Sequence, residues 1–215
     1  QINIGVIGTG SRGQGLIKLL NGIEGFNVVG ACDNIPFRLE EGISLIPTTK
    51  IAKAYSDYRK LLDDKKIDAV IVSTPLNTHD EISIDALDAG KHVYCEKTMA
   101  KGISSTQKLV KKCKQSNKIF QTGHQFHSSR MYKQLVEIIL DGKVGNIVSI
   151  EAQWNRNGDW RRIVKNPLQE RQINWRMYRE YSYGLLAELS AHQIDFANWI
   201  LAETPKRAVG FGGIN

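Results

Sequence analysis

Short apolar blocks alternate with amphipathic stretches through the first half of the chain. Residues 2–7 read as a strand that ends in glycines, and residues 13–22 as a short helix stopped by Gly22. Phe26–Cys32 is a second apolar strand, followed by a helix over Arg38–Leu45, a short strand at Ile51–Ala54 and a helix over Tyr58–Asp64. Within 68–73 the run Ala69-Val70-Ile71-Val72 is unbroken, as expected of a strand covered on both faces. A helix over 80–89, a strand His92–Cys95, a helix over 103–116 and a strand Ile119–Thr122 continue the rhythm. Strands and helices that alternate in this way predict an α/β fold with a doubly wound parallel sheet and right-handed crossovers.

The rhythm changes near residue 125. A helix over 129–140 and the turn Asp141-Gly142-Lys143 lead into a long strand, Ile147–Trp154. A polar and aromatic loop (155–182), a helix (184–201) and a strand (207–211) follow. The expected organisation is therefore a dinucleotide-binding domain over 1–125 and the first part of a second domain over 126–215. From Ile147 onward, two strands, a loop and one helix do not make an independent sheet, so the second domain is expected to be incomplete. The chain also begins directly on a strand, without an initiator Met or the regions of a signal peptide.

Composition narrows the classes. The 215 residues are 41% hydrophobic and 24% charged, with no apolar run near the roughly 20 residues that span a bilayer, so no membrane segment is expected. The net charge is +7, but the basic residues are dispersed. The densest group (Lys108, Lys111, Lys112, Lys114 and Lys118) suits a solvated helix face better than a phosphate-binding surface, so no nucleic-acid partner is expected. Cys32, Cys95 and Cys113 are widely spaced, with no zinc pattern; they read as buried thiols of a reducing compartment, and no metal is expected. The expected location is cytoplasmic, or periplasmic if an export signal was removed ahead of Gln1.

Gly8-Thr9-Gly10-Ser11-Arg12-Gly13 follows a strand, opens a helix and lies in a βαβ unit of about 30 residues, the context that gives a GxGxxG pattern its meaning. Such glycines let the backbone turn tightly and approach a pyrophosphate held at the helix N-terminus. Asp33 ends the second strand 20 residues after Gly13, where a carboxylate accepts hydrogen bonds from a ribose 2′-OH and repels a 2′-phosphate. This favours NAD over NADP, although Arg12 and Arg38 leave the opposite choice open. Thr74, Pro75, Asn77 and His79 follow the fourth strand, beyond the carboxyl end where ligands of open sheets bind; Asn77 or Thr78 could equally cap the helix opened by Asp80 and Glu81. Glu96 and Lys97 end the next strand on the same edge. A lysine there can hydrogen-bond a substrate hydroxyl and stabilise charge on its oxygen as hydride leaves.

Glu188, His192 and Asp195 lie within roughly 60° on one face of an ideal helix that is otherwise apolar. Polar groups there are costly unless used or paired. The histidine can take the proton of an alcohol near neutral pH; a salt-bridge ladder or a metal site are the other readings. The loop Trp154–Arg162, with Arg156 and Trp160, mixes aromatic rings with forked donors that suit a polyhydroxylated ligand or an interface. His124, just past the last strand of the first domain, could line the same cleft.

In their order and spacing, the glycine loop, Ala31-Cys32-Asp33, Thr74–His79, Glu96-Lys97-Thr98, Gly123-His124-Gln125-Phe126 and Glu188–Asp195 resemble the Gfo/Idh/MocA family, the glucose–fructose oxidoreductase and inositol dehydrogenase relatives. The resemblance implies an N-terminal Rossmann domain and an α+β substrate domain with a mainly antiparallel sheet, often an oligomer contact, so a homo-oligomer is expected. It implies NAD-dependent hydride transfer at a sugar, cyclitol or polyol hydroxyl. It maps the family's catalytic lysine onto Lys97 and its substrate-facing histidine onto His192. Glu188 stands where the family often has Asp, and Thr98 where it has proline. An NAD-dependent glycoside hydrolase of the same family and a non-catalytic NAD-binding scaffold are the alternatives.

Overall fold

Six parallel strands form one sheet in the order β3-β2-β1-β4-β5-β6. The computed structural model describes residues 1–47, 51–155 and 158–213. The strands are β1 (Ile2–Ile7), β2 (Phe26–Cys32), β3 (Lys53–Tyr55), β4 (Ala69–Val72), β5 (His92–Cys95) and β6 (Phe120–Thr122). Helices α1 (Ser11–Leu20), α2 (Pro36–Ser44), α3 (Tyr58–Asp63), α4 (His79–Asp88) and α5 (Ile103–Gln115) connect them. This is the doubly wound Rossmann order, in which the chain reverses direction across the sheet between β1 and β4.

The period of two along each strand decides which face each side chain serves. Val70 and Val72 point into the core that Leu61, Leu62, Ile82, Leu87 and Leu109 bring from α3, α4 and α5. Ile71 between them points the other way, into the cluster of Ile4, Val6, Leu16, Ile17 and Val28 under α1. Burial on both sides is why β4 has no polar residue.

The register sets the working edge of the sheet. Ile7 lies beside Cys32 and Val72, Val72 beside Cys95, and Cys95 beside Thr122. All these strands therefore end level, and the next residues (Gly8, Asp33, Ser73, Glu96 and Gly123) stand in a row at one edge. The ladder continues one step into that row: Gly8 N donates to Cys32 O, Ser73 N to Ile7 O, Glu96 N to Val72 O and Gly123 N to Cys95 O, at 2.7–2.9 Å.

The chain divides into two compact units, Gln1–Gly123 with Asp159–Gly184, and His124–Gly158 with Leu185–Asn215. The stretch 159–184 thus belongs to the unit that contains the sheet. It carries three short helical pieces, Pro167–Gln169, α7 (Glu170–Ile173) and Trp175–Met177, where an open loop was expected. In the second unit, α6 (Arg130–Leu140) forms as expected. The helix expected over 184–201 is split into a π-helical turn, Leu186–Ser190, and α8 (Ala191–Leu201).

The strands expected at Ile147–Trp154 and 207–211 are not formed among the described residues, and with them the expected antiparallel sheet. A strand exists through ladder bonds to a neighbour, and among the described residues this unit has no strand to supply them. The apolar alternation is real but uncovered: Val148 is 96% and Phe211 97% exposed.

Candidate functional site

The glycine loop is shaped by contacts that leave no room for side chains. Gly8 has φ +89°, and a Cβ on it would lie 2.7 Å from the backbone of Ser73. A Cβ on Gly13 would lie 1.9 Å from Gly8 O, so the first turn of α1 rests directly on the end of β1. Ser73 Oγ donates to Gly8 O at 2.7 Å and locks β4 to this turn. Gly10 caps α1, and Ser11 and Arg12 lie exposed at its start. The free amides of that first turn present the positive end of the helix to the sheet edge.

Thr9 and Asp33 form the floor of the loop. Thr9 is fully buried and Asp33 is 9% exposed. Asp33 Oδ2 accepts from Thr9 N at 2.8 Å and Oδ1 from Ile35 N at 2.9 Å, while the Thr9 hydroxyl donates to Arg38 O at 2.8 Å. The carboxylate is thus spent partly on the protein's own backbone. Each oxygen still has lone-pair capacity for a ribose hydroxyl.

Arg12 reaches across to Glu96, whose Oε1 lies 2.8 Å from Nε and 2.7 Å from Nη2. Burial opposes the charge on Arg12, but the hydrogen bond and charge of Glu96 outweigh it, and the pKa is raised. Tyr94 joins the pair; its own pKa is raised, first by burial and then by the Glu96 charge. Gly123 closes in on this group, where a Cβ would lie 2.9 Å from Tyr94 Oη.

In the loop after β4, the Thr78 hydroxyl turns back to Pro75 O and Thr74 Oγ1, both at 2.8 Å, and does not cap α4. Asn77 Oδ1 is a buried acceptor with no hydrogen-bond partner among the described residues. His79 is 2% exposed, with Nδ1 2.8 Å from Thr98 O and Nε2 2.9 Å from Thr74 O. It therefore lies inside the wall of the site and joins the loop of Thr74 to the segment of Lys97, which is half-buried.

The pattern of residues gave no sign that 159–184 brings arginines to this edge. The Arg38 guanidinium sits about 4 Å from where a Cβ on Gly10 would be. Its pKa is lowered, first by burial and also by Arg176 and Arg162, against the pull of Asp33. Arg162 is placed by Asn174, whose Oδ1 accepts from Arg162 N at 2.6 Å and whose Nδ2 donates to Arg162 O at 3.1 Å. Arg176 lies over the buried Trp175 ring, 4.2 Å from its centroid. Trp160 belongs to the same stretch; Arg156 lies outside the described residues.

The second unit gathers a separate cluster. Glu188 and His192 are each 6% exposed. The His192 ring meets His124 edge-on at 5.8 Å, Phe126 at 4.9 Å and Trp154 at 6.3 Å between centroids. Asp195 does not share a single α-helical face with Glu188, because the π-helical turn changes the spacing between them. It pairs with His127 Nε2 at 2.8 Å, and the His127 ring stacks on Trp199 at 4.0 Å.

Both halves match known families. The model of the oxidoreductase family with an NAD-binding Rossmann fold matches residues 2–124, and that of the GFO/IDH/MocA C-terminal domain matches residues 132–215. The chain belongs to the Gfo/Idh/MocA family. The Gfo/Idh/MocA relatives include an inositol 2-dehydrogenase of Salmonella typhimurium, 27% identical over 208 residues that make up 95% of this chain and 56% of that protein. A 2,7-anhydro-N-acetylneuraminate hydratase of Escherichia coli is 28% identical over 212 residues, 99% of this chain and 53% of that protein. In fold, a scyllo-inositol dehydrogenase from Lactobacillus casei, solved with NAD(H) and scyllo-inositol, superposes with a TM-score of 0.73 at 22% identity, over 93% of this chain and 56% of that one. The chain thus spans little more than half the length of the Gfo/Idh/MocA proteins it matches. No helix among the described residues is long and apolar enough to cross a membrane.

The site fits the dinucleotide of this family on its own geometry. Gly8 and Gly13 leave a cradle that a Cβ would fill, the first turn of α1 supplies amides for a pyrophosphate, and Asn77 Oδ1 is an acceptor still to be matched.

Proposed function

We propose that the protein uses NAD to move hydride to or from a hydroxyl-bearing carbon of a sugar, cyclitol or related polyol. The observation that carries the reading is the row of Gly8, Asp33, Ser73, Glu96 and Gly123 at one sheet edge, with Lys97 directly after Glu96. Residues 1–125 would be the cofactor domain, and 126–215 would contribute to substrate binding and to an oligomer contact.

The glycine loop (Gly8, Thr9, Gly10, Ser11, Arg12, Gly13) would hold the pyrophosphate, with Arg38 and Arg176 balancing its charge. Asp33 would take the adenosine ribose and disfavour NADP. Thr74, Pro75 and Asn77 would line the nicotinamide side, with Glu96 fixing the segment that carries Lys97. Bound NAD supplies the hydride acceptor at nicotinamide C4. Lys97 would donate a hydrogen bond to the substrate oxygen and stabilise its developing charge. His192 would take the hydroxyl proton, and Glu188 would orient the imidazole. His124, Trp160, Arg156 and Asp195 are the remaining substrate candidates; the hydrogen bond with His127 makes Asp195 a support for α8 as much as a ligand.

A second reading has support from the hydratase relatives: the same site could oxidise and re-reduce its substrate, with no net NADH. Titration with NAD, followed by absorbance of NADH over a panel of sugars and cyclitols, tests the main reading. Net NADH that Lys97→Met abolishes without loss of NAD binding supports it; full turnover by Lys97→Met removes Lys97 from the chemistry. Product formation without net NADH selects the second reading.

A further inference from the structure

His79 is the first residue of α4 and is 2% exposed, yet both of its ring nitrogens face carbonyl oxygens. Nδ1 is 2.8 Å from Thr98 O and Nε2 is 2.9 Å from Thr74 O. A neutral imidazole has one N–H and one lone pair, so it can satisfy one carbonyl and must turn a lone pair towards the other. The imidazolium has two N–H groups and satisfies both. In a buried setting an unmatched polar contact of this kind is costly.

The two carbonyls belong to different parts of the working edge. Thr74 O is in the loop after β4, which also carries the buried acceptor Asn77 Oδ1. Thr98 O follows Lys97. We propose that His79 is a positioning residue, held as a two-proton imidazolium, that clamps the Thr74 loop to the Lys97 segment and so sets the distance between the cofactor wall and the lysine. The part that concerns cofactor rests on the NAD reading above; the protonation state does not.

The surrounding charges set what the clamp must withstand. The loop of residues 73–78 carries no ionisable side chain. Burial raises the neighbouring Cys95 thiol to about 12, and the charges of Glu96 and of Asp80, the residue after His79 on its own helix, add to that. That thiol is therefore neutral; Glu96 is already paired with Arg12, which leaves Asp80 as the carboxylate to offset the imidazolium. Lys97 and the N-terminal end of α4 oppose it. Two charge-assisted hydrogen bonds to carbonyls are what hold the second proton in place.

The test uses the full chain labelled with 15N. The protein has five histidines, and the signals lost in His79→Gln identify those of His79. At about pH 7.5, a unit above the ordinary histidine value of about 6.5, both ring nitrogens of His79 are expected in the protonated N–H range. A lone-pair nitrogen in the spectrum overturns the proposal. His79→Phe keeps a ring but removes both donors, and is expected to weaken NAD binding about tenfold, the scale of one lost charged hydrogen bond. His79→Gln, which can serve one carbonyl, is expected to fall between the two. Unchanged NAD affinity in a folded His79→Phe or His79→Gln also overturns the clamp. If the native chain binds no NAD, the cofactor reading fails, and the nitrogen spectrum still decides the state of His79.

Discussion

Arg12 and Glu96 meet at 2.7–2.8 Å, an ion pair that ties the glycine loop to the residue before Lys97. Glu96 is 7% exposed, whereas 41% of the Arg12 side chain is open to solvent. Removing the arginine would leave a buried carboxylate without its partner. Because Arg12 is half in solvent, Arg12→Met is expected to cost about 1–2 kcal/mol, less than a fully buried pair. Chemical denaturation checks this. In the double variant Arg12→Met/Glu96→Gln part of the loss should return; additive losses would show that the pair is not coupled.

Gly13 tolerates no side chain. Its Cβ would lie 1.9 Å from Gly8 O, a backbone atom that cannot swing away. Gly13→Ala should cost at least about 1–3 kcal/mol as the loop is pushed open, and NAD binding should be lost with it. Gly15→Ala is the control, since nothing lies within 4 Å of a Cβ there; it should retain NAD affinity.

Asp33 serves two buried amides. In Asp33→Ala the N–H groups of Thr9 and Ile35 lose their acceptor, at a cost of about 1–3 kcal/mol. Loss of the carboxylate also removes the repulsion of a 2′-phosphate, so the ratio of NADP to NAD affinity should rise. Thermal melting and parallel titrations with the two cofactors separate these effects. An unchanged ratio would take Asp33 out of cofactor choice.

Asp64 makes the protein sensitive to acid. Lys53, the Lys66 amide and Tyr55 all donate to it, and its pKa is held well below the usual carboxylate range. A carboxyl depressed on folding stabilises the native state above its unfolded value of about 3.9, and that contribution is lost as pH falls through the folded value. Native stability should therefore decline below about pH 4, and Asp64→Asn should be less stable at neutral pH with a shallower acid decline. Urea midpoints across pH measure both.

The parts of the site that depend on strand ends were legible in the sequence. Gly8, Asp33, Thr74 and Glu96 each follow an apolar run that ends a parallel strand, and parallel register brings such residues to one edge. What packs on that edge from afar was not legible. Nothing in the spacing of Arg162, Asn174 and Arg176 says that they join the sheet unit, since their placement depends on a tertiary clamp at Asn174. The π-helical turn was hidden because its residues favour an ordinary helix, and it sends Asp195 to His127. The alternation at Ile147–Trp154 predicts a strand, but alternation needs a neighbouring strand before it becomes one.

The split of the sheet unit into 1–123 and 159–184 bears on how the protein is made. On the ribosome, all six strands emerge before the stretch that carries Asn174 and Arg176. The intervening 124–158 must be synthesised, and a long loop closed, before this unit has all its parts. A nascent chain could thus form the sheet early and still lack the arginines beside Arg38, so full capacity to hold an anionic ligand would come as a late, separate event in biogenesis.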